Sequence, residues 1–167
     1  TRDLLNVELS AFESQLLDSE IGAAGLITVP FYNGERTPNL PDAKACVFGM
    51  DSCNMQSENF LRSAVEGATF GLRFGLDELS KQGVRVTEIV LTGGGANSSV
   101  WRQMVADICN APVTMLRNEE GAALGAALQA LGMLTEDDIA NLTDAHLQRD
   151  TEQCCQPDAA AAQSYAA

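Results

Sequence analysis

The sequence has little positive charge and no long apolar run. Ten Lys and Arg stand against 23 Asp and Glu, so the net charge is −13. Nucleic acids and anionic membrane surfaces are bound by clustered Lys and Arg, so we expect neither partner. No apolar run approaches the length of a membrane span and no signal peptide is recognisable, which again argues against a membrane protein.

The sequence also lacks the residues of a zinc site. Its only histidine is His146, and none of its five cysteines follows the CxxC spacing of metal ligands. We therefore expect no metal bound by residues of this chain. Free thiols fit a reducing compartment, which makes a cytoplasmic location the expectation.

Apolar periodicity divides the first half of the chain into helices and short strands. Leucines at helical spacing predict a helix over residues 1–17, and apolar runs predict strands at 26–32 and 46–50. A long helix is predicted over 57–82, with Gly83 at its C-terminal cap. Its face of small residues is expected to pack closely against another element, since interior helical glycines are costly; the face comprises Ala64, Ala68, Gly71 and Gly75.

Residues 86–132 read as strand, helix, strand, helix. The apolar run at 86–92 predicts a strand buried on both faces, Ser98 or Ser99 can cap the next helix, and 113–116 predicts a second strand. Such a unit pairs its strands in parallel, and ligands bind at the carboxyl ends of the strands. The last helix of the unit is expected to begin after Asn118, with Glu119 and Glu120 in its first turn, to end at Gly132, and to pack its Gly/Ala face (Gly121 to Ala126) on the sheet.

The remainder predicts one short helix over 134–142 and a tail. We place a domain at residues 1–147. The polar and then Ala-rich segment 148–167 is expected to be a loosely ordered C-terminal tail.

Three consecutive glycines follow the 86–92 strand, in "LTGGGANSSVW". Backbone N–H groups between a strand and a helix can cradle a nucleotide. The loop lacks the Gly-Lys-Ser/Thr of a Walker A motif, and the third glycine of a dinucleotide fingerprint would fall on Ser98 or Ser99. From these residues alone, nucleotide binding and tight packing both remain open.

Three motifs in order resemble the C-terminal domain of the FGGY carbohydrate kinases, most closely the members that phosphorylate xylulose. They are "FYNGERTP" (31–38), "ACVFGMDSCNMQSENFLRSAVE" (45–66), and "VLTGGGANSSVWRQMVADICNAPVTML" followed by "EEGAALGAALQALG" (90–132). The resemblance implies an α/β fold, namely the second, actin-like ATPase (ribonuclease H-like) domain of a sugar kinase, incomplete on its N-terminal side.

The resemblance further implies ATP with Mg²⁺ as co-substrate and a sugar, D-xylulose first, as acceptor. Gly93, Gly94 and Gly95 would approach the adenosine and phosphates, and Asn97 and Ser98 would contact the base or ribose. Glu35 and Arg36 form a candidate active-site loop, in which Arg36 faces the phosphates or forms a salt bridge with Glu35 or a nearby acid. The family's catalytic aspartate lies upstream, so no residue here is assigned that role.

Several alternatives stay open beside this interpretation. The substrate could be another pentulose, a pentitol or glycerol, and a homodimer is compatible with the sequence. A non-enzymatic actin-like nucleotide-binding module and a fragment of a Rossmann-type dehydrogenase are the competing classes. Trp101 is expected in the core, and Asp77 and Asp107 as solvated or capping groups.

Overall fold

A computed structural model describes residues 5–117 and 121–166 of the chain. Within these residues the chain forms two small sheets and several helices. In chain order the helices and strands are α1 (Phe12–Asp18), β1 (Ile27–Val29), β2 (Cys46–Phe48), α2 (Ser57–Lys81), β3 (Ile89–Leu91), α3 (Ser99–Cys109), β4 (Val113–Leu116), α4 (Gly121–Thr135), α5 (Ile139–His146), β5 (Arg149–Cys155) and α6 (Ala159–Ala166).

The first helix begins later than the leucine spacing predicts. Asn6 adopts a left-handed conformation (φ 54°), which an α-helix cannot contain. A 3₁₀ turn at Leu9–Ala11 follows, and α1 starts only at Phe12. The part of the prediction that concerns residues 1–4 lies outside the described residues.

Two small sheets give the fold its frame. β1 and β2 pair antiparallel, with Thr28 opposite Val47. β3 and β4 pair in parallel through α3, with Val90 opposite Thr114, which confirms the predicted βαβ unit. β5 adds to β4 antiparallel and leaves β3 at the edge. Val90 is 39% exposed, so the prediction that this strand is buried on both faces is wrong.

The end of α2 confirms the role of Gly83. Its N–H donates to the Ser80 carbonyl at 3.0 Å, and the N–H of Val84 donates to the Leu79 carbonyl at 3.2 Å. This pair of bonds is a Schellman motif, and it needs the left-handed conformation that Gly83 adopts (φ 87°).

The prediction for the small-residue face of α2 is wrong. Ala68 and Gly71 are exposed, and no atom lies within 4 Å of a Cβ built at Gly71 or Gly75. The close approach occurs instead at Gly67, where a Cβ would stand 2.1 Å from the Thr28 carbonyl oxygen. Strand β1 contacts α2 at Ser63, whose hydroxyl lies 2.8 Å from that of Thr28, and at Gly67. Gly71, one turn beyond Gly67, lines an open groove.

The structure also corrects two predictions about α4. The helix continues past Gly132 to Thr135, and Glu136 adopts the left-handed conformation that ends it (φ 59°). A Cβ built at Gly132 would instead stand 3.3 Å from the Leu142 side chain of α5. Of the Gly/Ala face, Gly121 meets only the Thr92 side chain, and Gly125 meets nothing within 4 Å, so the face does not pack on the sheet. The proposed cap, Asn118 to Glu120, lies outside the described residues.

The expected loose tail forms a strand and a helix instead. Asp107 is buried in α3 and accepts hydrogen bonds from the Gln103 side chain and the Asp158 backbone N–H, both at 2.8 Å. Gln103 also donates to the Gln156 carbonyl at 2.8 Å. Asp107 is thus a capping group rather than a solvated one. The division of the chain at residue 148 stays a prediction.

A buried polar cluster, formed by Arg62, Glu66 and Tyr165, connects four segments of the chain. Arg62 donates to Glu66 at 2.8 Å, and through Nη1 to the carbonyls of Leu16 and Ser19, each at 2.9 Å. The Tyr165 hydroxyl accepts from Arg62 at 3.0 Å and donates to Glu66 at 2.7 Å. We call these three side chains the Arg62 cluster.

Burial and hydrogen bonding set the ionisation of this cluster. Burial raises the pKa of Tyr165 well above its usual value, and the hydrogen bond to Glu66 adds to that rise. Burial alone would lower the pKa of Arg62, but its hydrogen bonds with Tyr165 and Glu66 outweigh this and raise the pKa. The phenol is therefore neutral and the guanidinium charged in the folded chain.

Two glycines of α2 should respond in opposite ways to an added methyl group. Gly67→Ala places a Cβ against the Thr28 carbonyl and should destabilise the fold by about 1–3 kcal/mol. Gly75→Ala meets no atom and should stabilise it by up to about 1 kcal/mol through helix propensity. Urea unfolding of both variants checks this, and equal effects would contradict the packing described.

Removing the Tyr165 hydroxyl should weaken the fold measurably. Tyr165→Phe leaves Arg62 and Glu66 each without one partner, which should cost about 2 kcal/mol. Ser164→Ala is the matched control, because Ser164 only donates back to the Ala160 carbonyl of its own helix. Unfolding free energies within about 0.5 kcal/mol of each other would refute a structural role for the hydroxyl.

The same variant carries a pH signature. The folded pKa of Tyr165 is raised, so its stabilising effect is complete below the unfolded pKa of about 10 and declines as the pH rises beyond it. The wild-type free energy of unfolding should therefore fall more steeply above pH 10 than that of Tyr165→Phe.

Candidate functional site

A single open groove brings together most of the predicted site residues. Its volume is about 1930 Å³. Its walls are formed by α2, β1, the loop of residues 31–38, and the loop of residues 93–98, which we call the glycine loop. Predicted site residues that line it are Glu35, Gly94, Gly95, Asn97 and Ser98. Gly93 and Arg36 lie in these two loops, but they are not among the residues that line the groove.

The three glycines of the loop differ in what surrounds them. Gly93 adopts a positive φ of 88°, which favours glycine. A Cβ at Gly95 would stand 3.0 Å from the Trp101 ring, so this position is limited by packing. Gly94 has neither constraint, because its φ is ordinary and no protein atom lies within 4 Å of the Cβ position. A side chain at Gly94 would occupy the groove itself.

Helix α3 holds this loop from beneath. Ala96 is fully buried, and its carbonyl accepts a 2.6 Å hydrogen bond from the buried Arg102. The Trp101 indole donates to the Thr69 hydroxyl of α2 at 3.0 Å. Trp101 packs on the cluster of Val105, Ala106 and Val113, as predicted, while its ring also borders the groove.

The N-terminus of α3 already contacts an anion from within the chain. Ser98 caps the helix by accepting from the Trp101 backbone N–H at 3.2 Å. Glu13 of α1 reaches the same end, with its Oε1 3.4 Å from the Ser99 hydroxyl and 3.5 Å from the Val100 nitrogen. Hydrogen bonding from the Ser98 hydroxyl is the main cause that lowers the pKa of Glu13, although burial opposes it.

Sequence analysis did not single out Glu13. It lies 86 positions from Ser99 in the sequence. The helix that contains it was predicted from the spacing of its leucines, which gives no information about its polar face. The signal was present in the helix itself: Glu13 follows Phe12, so it points away from the buried stripe toward the neighbouring element. Only the packing of α1 on α3 shows that its neighbour is the glycine loop.

In the 31–38 loop the carboxylate of Glu35 bonds to backbone. Its Oε1 accepts from the N–H groups of Arg36 and Thr37, at 2.7 and 3.4 Å. The backbone of Glu35 pairs with that of Leu40 in both directions at 2.9 Å. Arg36 is exposed and forms no ion pair with another described residue. The alternative in which Arg36 pairs with Glu35 is therefore wrong.

The described part of the chain offers no ready metal site. Among residues 5–117 and 121–166, no three His, Cys, Asp or Glu side chains are grouped so that they could hold a metal ion. We therefore assign no described residue as a Mg²⁺ ligand. In the same residues no helix combines the length and apolarity needed to cross a membrane.

Known proteins resemble the chain over nearly its whole length. Residues 2–133 match the profile of the C-terminal domain of the FGGY family of carbohydrate kinases. A xylulose kinase of Haemophilus influenzae is 40% identical over 163 residues, which cover 98% of this chain and 33% of that protein.

Solved structures give the same result. The ligand-bound xylulose kinase of Lactobacillus acidophilus superimposes with a TM-score of 0.89 at 25% identity, over 99% of this chain and 34% of its own. The gluconate kinase of that organism reaches 0.84 at 25% identity, over 94% of this chain and 32% of its own.

The chain thus spans about a third of the length of these relatives. Its architecture is that of the actin-like ATPase fold found in the second half of these kinases, as predicted. The Rossmann-type dehydrogenase alternative is excluded by the family match. The chain belongs to the FGGY family of carbohydrate kinases, and residues 2–133 match the profile of that family's C-terminal domain.

Proposed function

We propose that the protein containing this chain is an ATP-dependent kinase of D-xylulose, and that this chain forms one wall of its ATP site. The substrate is inferred from the 40% identity to a xylulose kinase. A gluconate kinase is a structural neighbour of similar rank, so kinases of other sugars are the first alternatives. The second is a non-enzymatic actin-like module that binds nucleotide.

The environment of Gly94 is the observation that carries the nucleotide assignment. Neither backbone conformation nor protein packing requires glycine there. What its missing side chain leaves is free space in the groove, directly after the carboxyl end of β3. Ligands of open α/β sheets bind at that end, and bare backbone there lets a nucleotide approach the N–H groups.

The other predicted residues receive roles by position in this proposal. Gly93 and Gly95 set the course of the loop beside the adenosine and phosphates. Asn97 and Ser98 offer polar contacts to the base or ribose. Glu35 fixes the backbone of its loop, which leaves the exposed guanidinium of Arg36 available to the phosphates.

Phosphoryl transfer requires mainly positioning and charge stabilisation. Mg²⁺ supplies the neutralisation of phosphate charge and enters with ATP. This chain holds the nucleoside end, and the remaining two thirds of the protein provide the sugar contacts and the carboxylate that accepts the hydroxyl proton. The free thiols of Cys46, Cys53, Cys109, Cys154 and Cys155 suit a cytoplasmic location. A homodimer stays a prediction.

Filling the space at Gly94 should block nucleotide without harming the fold. The Cβ of Gly94→Val would project into the groove and lie more than 4 Å from any other described side chain or loop, so the full-length variant should bind ADP at least about tenfold more weakly, a change of about 1.4 kcal/mol. Gly75→Ala, on α2 and outside the groove, is the control that should leave affinity unchanged. Calorimetric titration measures both, and unaltered ADP affinity in a folded Gly94→Val protein refutes the assignment.

The activity itself is tested with a panel of acceptors. In the presence of ATP and Mg²⁺, the full-length protein should phosphorylate D-xylulose and release ADP. The rate of ADP release should be lower with gluconate, glycerol, other pentuloses and pentitols. The isolated 167 residues should release none, because they carry one wall of the cleft. Turnover by the isolated 167 residues would refute the proposal that the catalytic and sugar-binding residues lie elsewhere in the protein. A full-length protein that binds ATP but phosphorylates no sugar would favour the non-enzymatic actin-like nucleotide-binding module.

A further inference from the structure

The corner of the groove beside the glycine loop contains an acidic side chain, Glu13, next to Ser98. The Ser98 oxygen accepts from the Trp101 N–H at 3.2 Å. Glu13 contributes a carboxylate, which only accepts. Both residues line the groove together with Gly94 and Asn97.

A carboxylate in this corner discriminates between the two ends of a nucleotide. Phosphate oxygens are acceptors with negative charge, and Glu13 would repel them. Ribose hydroxyls and the exocyclic amine of adenine are donors, and a carboxylate binds such donors more strongly than a neutral acceptor does. The electrostatic preference of a helix N-terminus for phosphate does not apply at α3, since Glu13 already lies there.

We propose that Glu13 is a specificity-determining residue that orients the nucleotide, receiving a hydrogen bond from a donor of its nucleoside end and directing the phosphates away from α3. This inference rests on the proposed ATP site. It adds a residue from a separate helix, 80 or more positions before the glycine loop in sequence, to the recognition of the nucleoside. The contacts of Glu13 with the Ser99 hydroxyl and the Val100 nitrogen are both made by Oε1, so the proposal assigns Oε2 to the ligand.

The test compares nucleotide analogues on the full-length protein. ADP, 2′-deoxy-ADP, 3′-deoxy-ADP and inosine diphosphate are titrated by calorimetry into wild type, Glu13→Leu, Glu13→Gln and the control Glu20→Gln. Glu20 is an exposed acid just after α1 that does not line the groove. The two deoxy analogues test the ribose hydroxyls, and inosine diphosphate tests the amine.

In wild type and Glu20→Gln, the analogue that lacks the donor facing Glu13 should bind about tenfold more weakly than ADP. Glu13→Leu should lose this discrimination, so that its ratio approaches one, and Glu13→Gln, which keeps an acceptor oxygen, should fall between. A purely structural effect of Glu13 would weaken all four ligands equally and leave the ratios unchanged.

The outcomes distinguish a failure of the role of Glu13 from a failure of the proposed ATP site. Wild type that binds ADP, with ratios that Glu13→Leu preserves, overturns the role of Glu13 and leaves the ATP site standing. Wild type that binds no ADP overturns the ATP site and the role of Glu13 together. If Glu13→Leu does not fold, the ratio measured in Glu13→Gln decides, and an unchanged ratio there overturns the role.

Discussion

The buried ion pair between Arg62 and Glu66 is the constraint on which the arrangement of the helices depends. A buried charge without a partner is costly, so each hydrogen-bonding position of these two side chains has to be filled. Four separate segments do so: the end of α1, the N–H of Gly22, α2 itself and Tyr165 of α6. Each of these segments is therefore fixed in position relative to α2, including one that comes a hundred residues later.

The position of α2 in turn fixes the glycine loop. One turn beyond Glu66, Thr69 accepts from the Trp101 indole, and further along Arg73 donates to the Ile108 carbonyl at the end of α3 at 2.6 Å. Helix α3 is thereby held at both ends against α2. Since Trp101 lies against the Cβ position of Gly95 and Arg102 binds the Ala96 carbonyl, the position of the loop depends on α2 through α3. Rigid support of this kind keeps a binding loop preorganised.

Local signals were readable from the sequence, and long-range ones were not. Gly83 as a helix end, Ser98 as a cap and the parallel pairing of β3 with β4 each depend on residues within one element or its neighbour. The order of residues 148–167 depends instead on Asp107, Gln103 and Arg62, which lie far away along the chain. The predictions that the Gly/Ala faces of α2 and α4 pack against another element were wrong for a related reason. Small residues permit a close approach, but the sequence does not say which turn another element crosses.

The glycine loop shows why a run of identical residues cannot be interpreted as one signal. Gly93 is glycine because of its backbone conformation, Gly95 because an aromatic ring lies against it, and Gly94 for neither reason. From sequence alone, packing and ligand binding remained competing explanations for the whole loop. In the structure, packing against Trp101 explains Gly95, whereas no described atom lies within 4 Å of a Cβ built at Gly94. The family match indicates what kind of molecule these kinases act on, whereas the proposal of a ligand at Gly94 rests on the geometry of the loop. A nucleotide bound there, as proposed, would supply a reason for glycine at Gly94 that the described residues do not supply.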